Sequence, residues 1–371
     1  VSLALLWVLG FVNYRGVKST GNVQLFLCIL LCAAVLLIVF GTMITGNFHM
    51  ENLQPAANQY DVPLIKGIIL IIAMAPFLYV GFDCIPQAAE EFNFPANKTL
   101  LLIFSAIGVG ALIYAALAVV TAAVMPWMEM VDLTNASGQP ESWRTGAMIR
   151  QALGSLGIAF VVIAVLAGML TGINGFYMSS SRLLFGMARA RMMPKFFAYI
   201  HPVHKTPSKG IIFVMCICSI APFFGREVLN WVVDMAAVGT GVGYFFTCAG
   251  AYMVLTKGLR PKSDDDISPV MAAAGAIISL AIIALQVVPG MPAFLSKPCW
   301  CALGVWIVMG AIFYFVAMKR FRATSHGMVG YLILGDKSGL TKAELEAIED
   351  CTPVTDCEVD LVEEEIMKNQ K

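Results

Sequence analysis

Long apolar runs alternate with short polar segments along this chain. Runs able to cross a ~30 Å hydrocarbon core fall near residues 23–45, 64–92, 99–125, 153–178, 210–225, 228–256, 269–290 and 299–318. The fifth, GIIFVMCICSIAPFF, is short and carries Pro222 near its end. Helices in lipid are apolar all round, so these runs show no single buried stripe. The pattern predicts an all-α polytopic membrane protein with about eight complete transmembrane helices. The opening LALLWVLGFV, before Asn13-Tyr14-Arg15-Gly16, is too short to cross. Residues 1–12 therefore read as the end of a span that begins before this sequence, and no charged leader marks a signal peptide.

The run from Pro63 to Phe92 is interrupted by Gly81-Phe82-Asp83, with Pro86 following. A carboxylate at membrane depth is costly and persists where it meets water, a partner or a solute. Glycine and proline beside it remove the local helix ladder, and such backbone is tolerated in a bilayer only where it lines a cavity. A solute site built on a discontinuous helix has this form. A proline kink whose Asp83 bonds a neighbouring helix is the other reading of the same residues.

Composition agrees with the class, since 59% of the 371 residues are hydrophobic and 13% charged. The formal net charge is zero, but its distribution is uneven. If the first full span starts in the cytoplasm, the inside segments hold Arg15, Lys18, Lys98, Arg182, Arg189, Arg191, Lys195, Lys205, Lys209, Lys257, Arg260, Lys262, Lys319, Arg320 and Arg322. The outside segments hold Lys66, Arg144, Arg150, Arg226 and Lys297. That asymmetry orients the chain with its C-terminal tail inside. The transmembrane domain would run over 1–322, with an acidic cytoplasmic tail over 323–371. Within that tail Thr341 and Glu344 have capping-box spacing ahead of LTKAELEAIED. The tail reads either as solvated or as docked on a basic loop.

Other chemistry is thin. Cys28, Cys32, Cys84, Cys216, Cys218 and Cys248 lie in apolar spans, where cysteine behaves as a small hydrophobe. His201 and His204 have no Cys or carboxylate beside them, which argues against a metal. No zincin, nucleophile-elbow or phosphate-loop motif is present, so an enzyme is not expected. No cofactor, metal or nucleic acid is expected as a partner. Gly239-Thr-Gly-Val-Gly243 lies within a span and suits helix packing. In the fourth span Gly168, Thr171, Gly172 and Gly175 form one small stripe, read either as helix packing or, with Asn174, as a polar cavity wall. Asp234 lies near an interface and can reach water.

An ordered set of motifs carries a resemblance. Asn13-Tyr-Arg-Gly-Val-Lys18-Ser-Thr-Gly-Asn-Val-Gln24, then Val80-Gly-Phe-Asp83 with Ala89-Glu-Glu91 and Pro95, resembles the amino acid–polyamine–organocation permeases. So do Ser180-Ser-Arg-Leu-Leu-Phe-Gly-Met-Ala-Arg189 with Pro194, and Val233-Asp234 with Val238-Gly239-Thr240 and Tyr244. The resemblance covers roughly residues 7–320 and implies a partial inverted-repeat fold, holding the end of span four and spans five to twelve. By it, Gly81, Phe82 and Asp83 match the unwound substrate-binding segment, and Phe77 the aromatic that covers substrate. Gly168 and Thr171 match the face of span eight at the coupling-ion position. Some relatives place a lysine in span five opposite that position, but residues 23–45 contain none. The implied function is secondary transport of an amino acid or related amine, coupled to an ion or proton or run as exchange, in the lipid bilayer of the plasma membrane. A non-transporting nutrient sensor or scaffold that keeps the fold is the alternative.

Overall fold

The computed structural model describes residues 2–54, 63–89, 94, 98–132, 143–225, 227–257, 268–291, 293–322, 324–334, 339–342, 344 and 345; the side chains of 17, 73–77, 127, 128, 131 and 227–230 are outside this description. Its helices are α1 (Ser2–Arg15), α2 (Val17–Ile44), α3 (Leu64–Leu78), α4 (Cys84–Gln87), α5 (Lys98–Val124), α6 (Trp127–Asp132), α7 (Arg144–Arg189), α8 (Ser208–Cys218), α9 (Glu227–Lys257), α10 (Pro269–Val287), α11 (Lys297–Arg322) and α12 (His326–Leu334). Among the described residues there is no strand.

Among the described residues, six helical stretches are long and apolar enough to cross a membrane: Lys18–Ile44, Lys98–Val124, Arg144–Arg189, Trp231–Lys257, Pro269–Val287 and Lys297–Arg322. Their side chains suit lipid, for Leu101, Val305 and Phe315 remain 70%, 72% and 71% exposed, which only an apolar surrounding stabilises. The protein is an all-α, multi-pass membrane protein. The other two predicted spans are each divided. The run 64–92 becomes α3, a turn over 79–83 and α4. The run 210–225 becomes α8 and a 3₁₀ turn over Ala221–Phe224, where Pro222 lacks the donor a continuing helix needs. The interruption at Gly81–Asp83 is the one expected, and the described residues contain six continuous spans rather than about eight complete ones.

The chain divides into two compact units, one of Lys18–Phe176 and Gly290–Ala293, the other of Val1–Val17, Tyr177–Pro289 and Phe294–Lys371. In the first, Ile38, Val120, Ile149 and Val161 form a buried cluster with Leu117, Phe48 and Leu153 against it. The segment after α2 seals this end, since Asn47 Nδ2 donates to the Ala152 carbonyl and Asn52 Nδ2 to the Ala123 carbonyl, both at 2.9 Å. Gly154, at φ 65° and ψ −148°, bends α7 one residue from the predicted start of the fourth span.

In the second unit α1 packs on α8, and Trp7 Nε1 donates to Ser219 Oγ at 3.1 Å. Helices α9 and α10 form the closest pair. Their backbones approach at two glycines, because a Cβ on Gly241 would meet Ile283 and one on Gly275 would meet Cys248. That is small-residue packing of the kind expected for Gly239–Gly243. At the end of α7, Ala188, Met193, Phe197 and Ala198 are buried together, with Phe213 and Phe313 edge-on or tilted to Phe197 at 5.0 and 5.7 Å.

Candidate functional site

The broken second span lies in the first unit and is built by backbone chemistry. Helix α3 ends at Leu78, whose carbonyl lacks a continuing ladder. Tyr114, on α5, supplies the partner, its hydroxyl donating to the Leu78 carbonyl at 2.7 Å. The ring of Tyr79 stands edge-on to Tyr114, with centroids 5.7 Å apart and planes 87° apart. Gly81 then takes φ 134°, a conformation that glycine adopts freely and side-chain-bearing residues avoid. Its N–H is accepted by Asp83 Oδ1 at 2.8 Å. Past the break, the N–H groups of Cys84 and Ile85 donate to the Gly81 and Phe82 carbonyls at 3.1 Å, which starts α4.

Gly81, Phe82 and Asp83 thus sit together in one half-buried turn. Oδ1 of Asp83 ties down a backbone donor that hydrocarbon would otherwise leave unsatisfied. Phe77 falls in α3 one turn earlier, but its side chain is outside the described residues. Glu90, Glu91 and Pro95 are outside them as well.

Gly168 and Thr171 lie on α7, where the Thr171 hydroxyl donates to the Gly168 carbonyl at 2.8 Å. A Cβ on Gly168 would touch Leu31 of α2 at 3.9 Å, an ordinary contact. Gly172 and Gly175 have no neighbour that close among the described residues, so close packing does not account for the stripe. Asn174 differs from the cavity-wall reading. It is fully buried, and its Nδ2 donates to Gln24 Oε1 at 2.9 Å and to the Thr20 carbonyl at 3.2 Å. Both partners belong to the Asn13–Gln24 motif, which explains why that segment carries polar residues at the start of α2. Sequence reasoning missed this pairing and Tyr114. The signal for Tyr114 was a phenolic hydroxyl in the middle of an apolar helix, which needs a partner when it cannot reach water.

In the second unit Asp234 Oδ2 accepts from the Cys299 thiol at 3.3 Å, and Ser296 Oγ lies 2.9 Å from that sulfur. Among the described residues no group of three or more His, Cys, Asp or Glu could hold a metal.

A sequence profile of amino acid permeases matches residues 1–313. The chain belongs to the amino acid permease family. Members of that family are permeases and not enzymes. Relatives include the methylthioribose transporter of Bacillus subtilis, 24% identical over 310 residues that cover 82% of this chain and 61% of that protein. The branched-chain amino acid permease BcaP of the same organism is 22% identical over 330 residues, covering 86% and 64%. The vacuolar cationic amino acid transporter 4 of Arabidopsis thaliana is 25% identical over 251 residues, covering 66% and 39%. This permease-family chain therefore spans less than two thirds of the length of these relatives.

Proposed function

We propose that the chain is the part of a secondary active transporter that carries the second half of its solute path, moving an amino acid or related amine by alternating access. The observation that supports this is the braced break between Leu78 and Cys84. Two of its backbone groups are held by Tyr114 and by Asp83 Oδ1, and Oδ2 of Asp83 has no hydrogen-bond partner among the described residues. A carboxylate oxygen held at a fixed point beside broken backbone is suited to an ammonium group. In this reading Gly81 and Phe82 present backbone to the solute, and Phe77 covers it. Asp83 both holds the break and pairs with the amine.

Gly168 and Thr171 are proposed to face the coupling ion or proton. The Thr171 hydroxyl spends its hydrogen on Gly168, so its oxygen lone pairs point elsewhere and can accept from or ligate a cation. The Lys and Arg asymmetry supports a cytoplasmic C-terminal tail, and the plasma membrane is the proposed location. The relatives' names span a thiosugar, branched-chain and cationic amino acids, so substrate identity has to come from experiment.

The test is a thermal-shift screen of the full-length gene product in detergent against amino acids, polyamines and methylthioribose, followed by uptake of any hit into proteoliposomes. A stabilising amine whose uptake saturates supports the reading. No shift and no uptake across the panel overturns it.

A further inference from the structure

The C-terminal segment holds a buried charge that the solute site does not use. Glu344 is 7% exposed. Its Oε2 accepts the N–H and the hydroxyl of Thr341, both at 2.8 Å, and the Glu344 N–H points back to Thr341 Oγ1 at 3.4 Å. This is the capping box that the spacing predicts, with Leu345 N–H donating to the Thr341 carbonyl to begin a helical turn.

The other oxygen reaches away from the segment. Glu344 Oε1 accepts the Ser325 hydroxyl at 2.6 Å, and Ser325 Oγ in turn accepts the Met328 N–H at the start of α12. The charge of Arg191 also stabilises the Glu344 carboxylate. Arg191 is 4% exposed, sits in the turn that ends α7 at φ 64°, and donates from Nη1 to Thr324 Oγ1 at 2.7 Å. Gly327 and Gly339 meet backbone to backbone, and a Cβ on Gly327 would run into the Gly339 carbonyl. The Glu344–Ser325 and Arg191–Thr324 bonds thereby join three segments, with the α11–α12 junction between the turn after α7 and the C-terminal segment.

The fastening is polar and separable. Met193, Phe197 and Ala198, just past Arg191, are held by their own aromatic cluster with Phe213 and Phe313. Opening the Glu344 contacts leaves that cluster intact, which is the condition for a low-cost local opening.

We propose that Thr341–Leu345 is a detachable strap, closed by Glu344 on the Arg191 turn and the Thr324–Ser325 junction, whose release frees the end of α7 to move.

Hydrogen–deuterium exchange of the full chain in detergent tests this. Glu344→Ala and the milder Glu344→Gln are compared with Lys342→Ala, an exposed neighbour. In Glu344→Ala, exchange rises at least tenfold in peptides over 188–192, 324–328 and 339–345, and stays unchanged over 195–198. Glu344→Gln gives a smaller rise in the same peptides, and Lys342→Ala none. A rise confined to 339–345, or no rise, overturns the strap. A rise that extends to 195–198, with a melting temperature several degrees lower, overturns it in favour of an ordinary packing contact.

Discussion

The Asp83 carboxylate accepts the N–H of Gly81, two residues earlier, at 2.8 Å. A single side chain therefore closes the break in the helix that it also interrupts. Its two oxygens divide: one is spent on the backbone, and in the proposed reading the other is left to the solute.

That division separates two substitutions. Asp83→Asn retains an oxygen for Gly81 but removes the charge, so the break should persist while amine binding weakens by about 1–3 kcal/mol, the scale of a hydrogen bond to a charged group. Asp83→Ala removes both and should also lower thermal stability. Binding of the amine hit to both variants, measured alongside melting temperature, checks this. Equal losses in Asn and Ala would mean that Asp83 acts through the backbone alone.

Tyr114→Phe keeps the ring against Tyr79 and deletes the bond to Leu78. The variant should lose about 0.5–1.5 kcal/mol of stability, the usual net value of a hydrogen bond. Half-saturation for the solute should rise a few-fold, because the end of α3 is no longer fixed. Denaturation of purified protein and concentration-dependent uptake are the two measurements.

Glu344 has a sign that can be worked out. Burial raises its carboxyl pKa, but hydrogen bonds from Ser325 and Thr341 and the Arg191 charge outweigh it, so the folded value lies below the ordinary one. A lowered folded pKa contributes stability in full above the unfolded pKa and loses it as pH falls through the folded value. The strap should thus stay shut across neutral and mildly acidic conditions and open only in the strongly acidic range. Exchange at 339–345 followed from pH 7 downward checks this, and Glu344→Gln should flatten the profile.

Orientation is checked by labelling. Asn135, in a sequon, and Asn97, in another, both lie outside the described residues, and the charge asymmetry puts them on opposite faces. A cysteine placed at position 135 should react with an impermeant reagent from outside, and one at position 97 should not. The reverse pattern would invert the proposed topology.

The apolar runs were legible because lipid imposes a single rule on length and composition. The break at Gly81 was also legible, since Gly, Asp and Pro within six residues weaken the helix ladder there. The capping box at Thr341 could also be read from spacing alone. Three-dimensional partners were not. Nothing local ties Tyr114 to Leu78, 36 residues away, or Asn174 to Gln24, 150 away. Asn174 carried a polar signal without a direction, and only packing against α2 resolved it from a cavity wall into a helix-to-helix contact. The short fifth run showed Pro222 near its end, but apolar content averages over the residue that lacks a donor, so the run still read as one span.

The Asn174–Gln24 contact fixes something that greasy surfaces leave undecided. Between two helices in lipid, apolar side chains attract almost equally well when one helix slides a turn past the other. A buried amide pair has one position at which both partners are met, and any slip strands them in hydrocarbon. It sets the vertical register of α2 against α7, as a single buried asparagine sets the alignment of a coiled coil. Leucine at both positions would leave the attraction and erase the register.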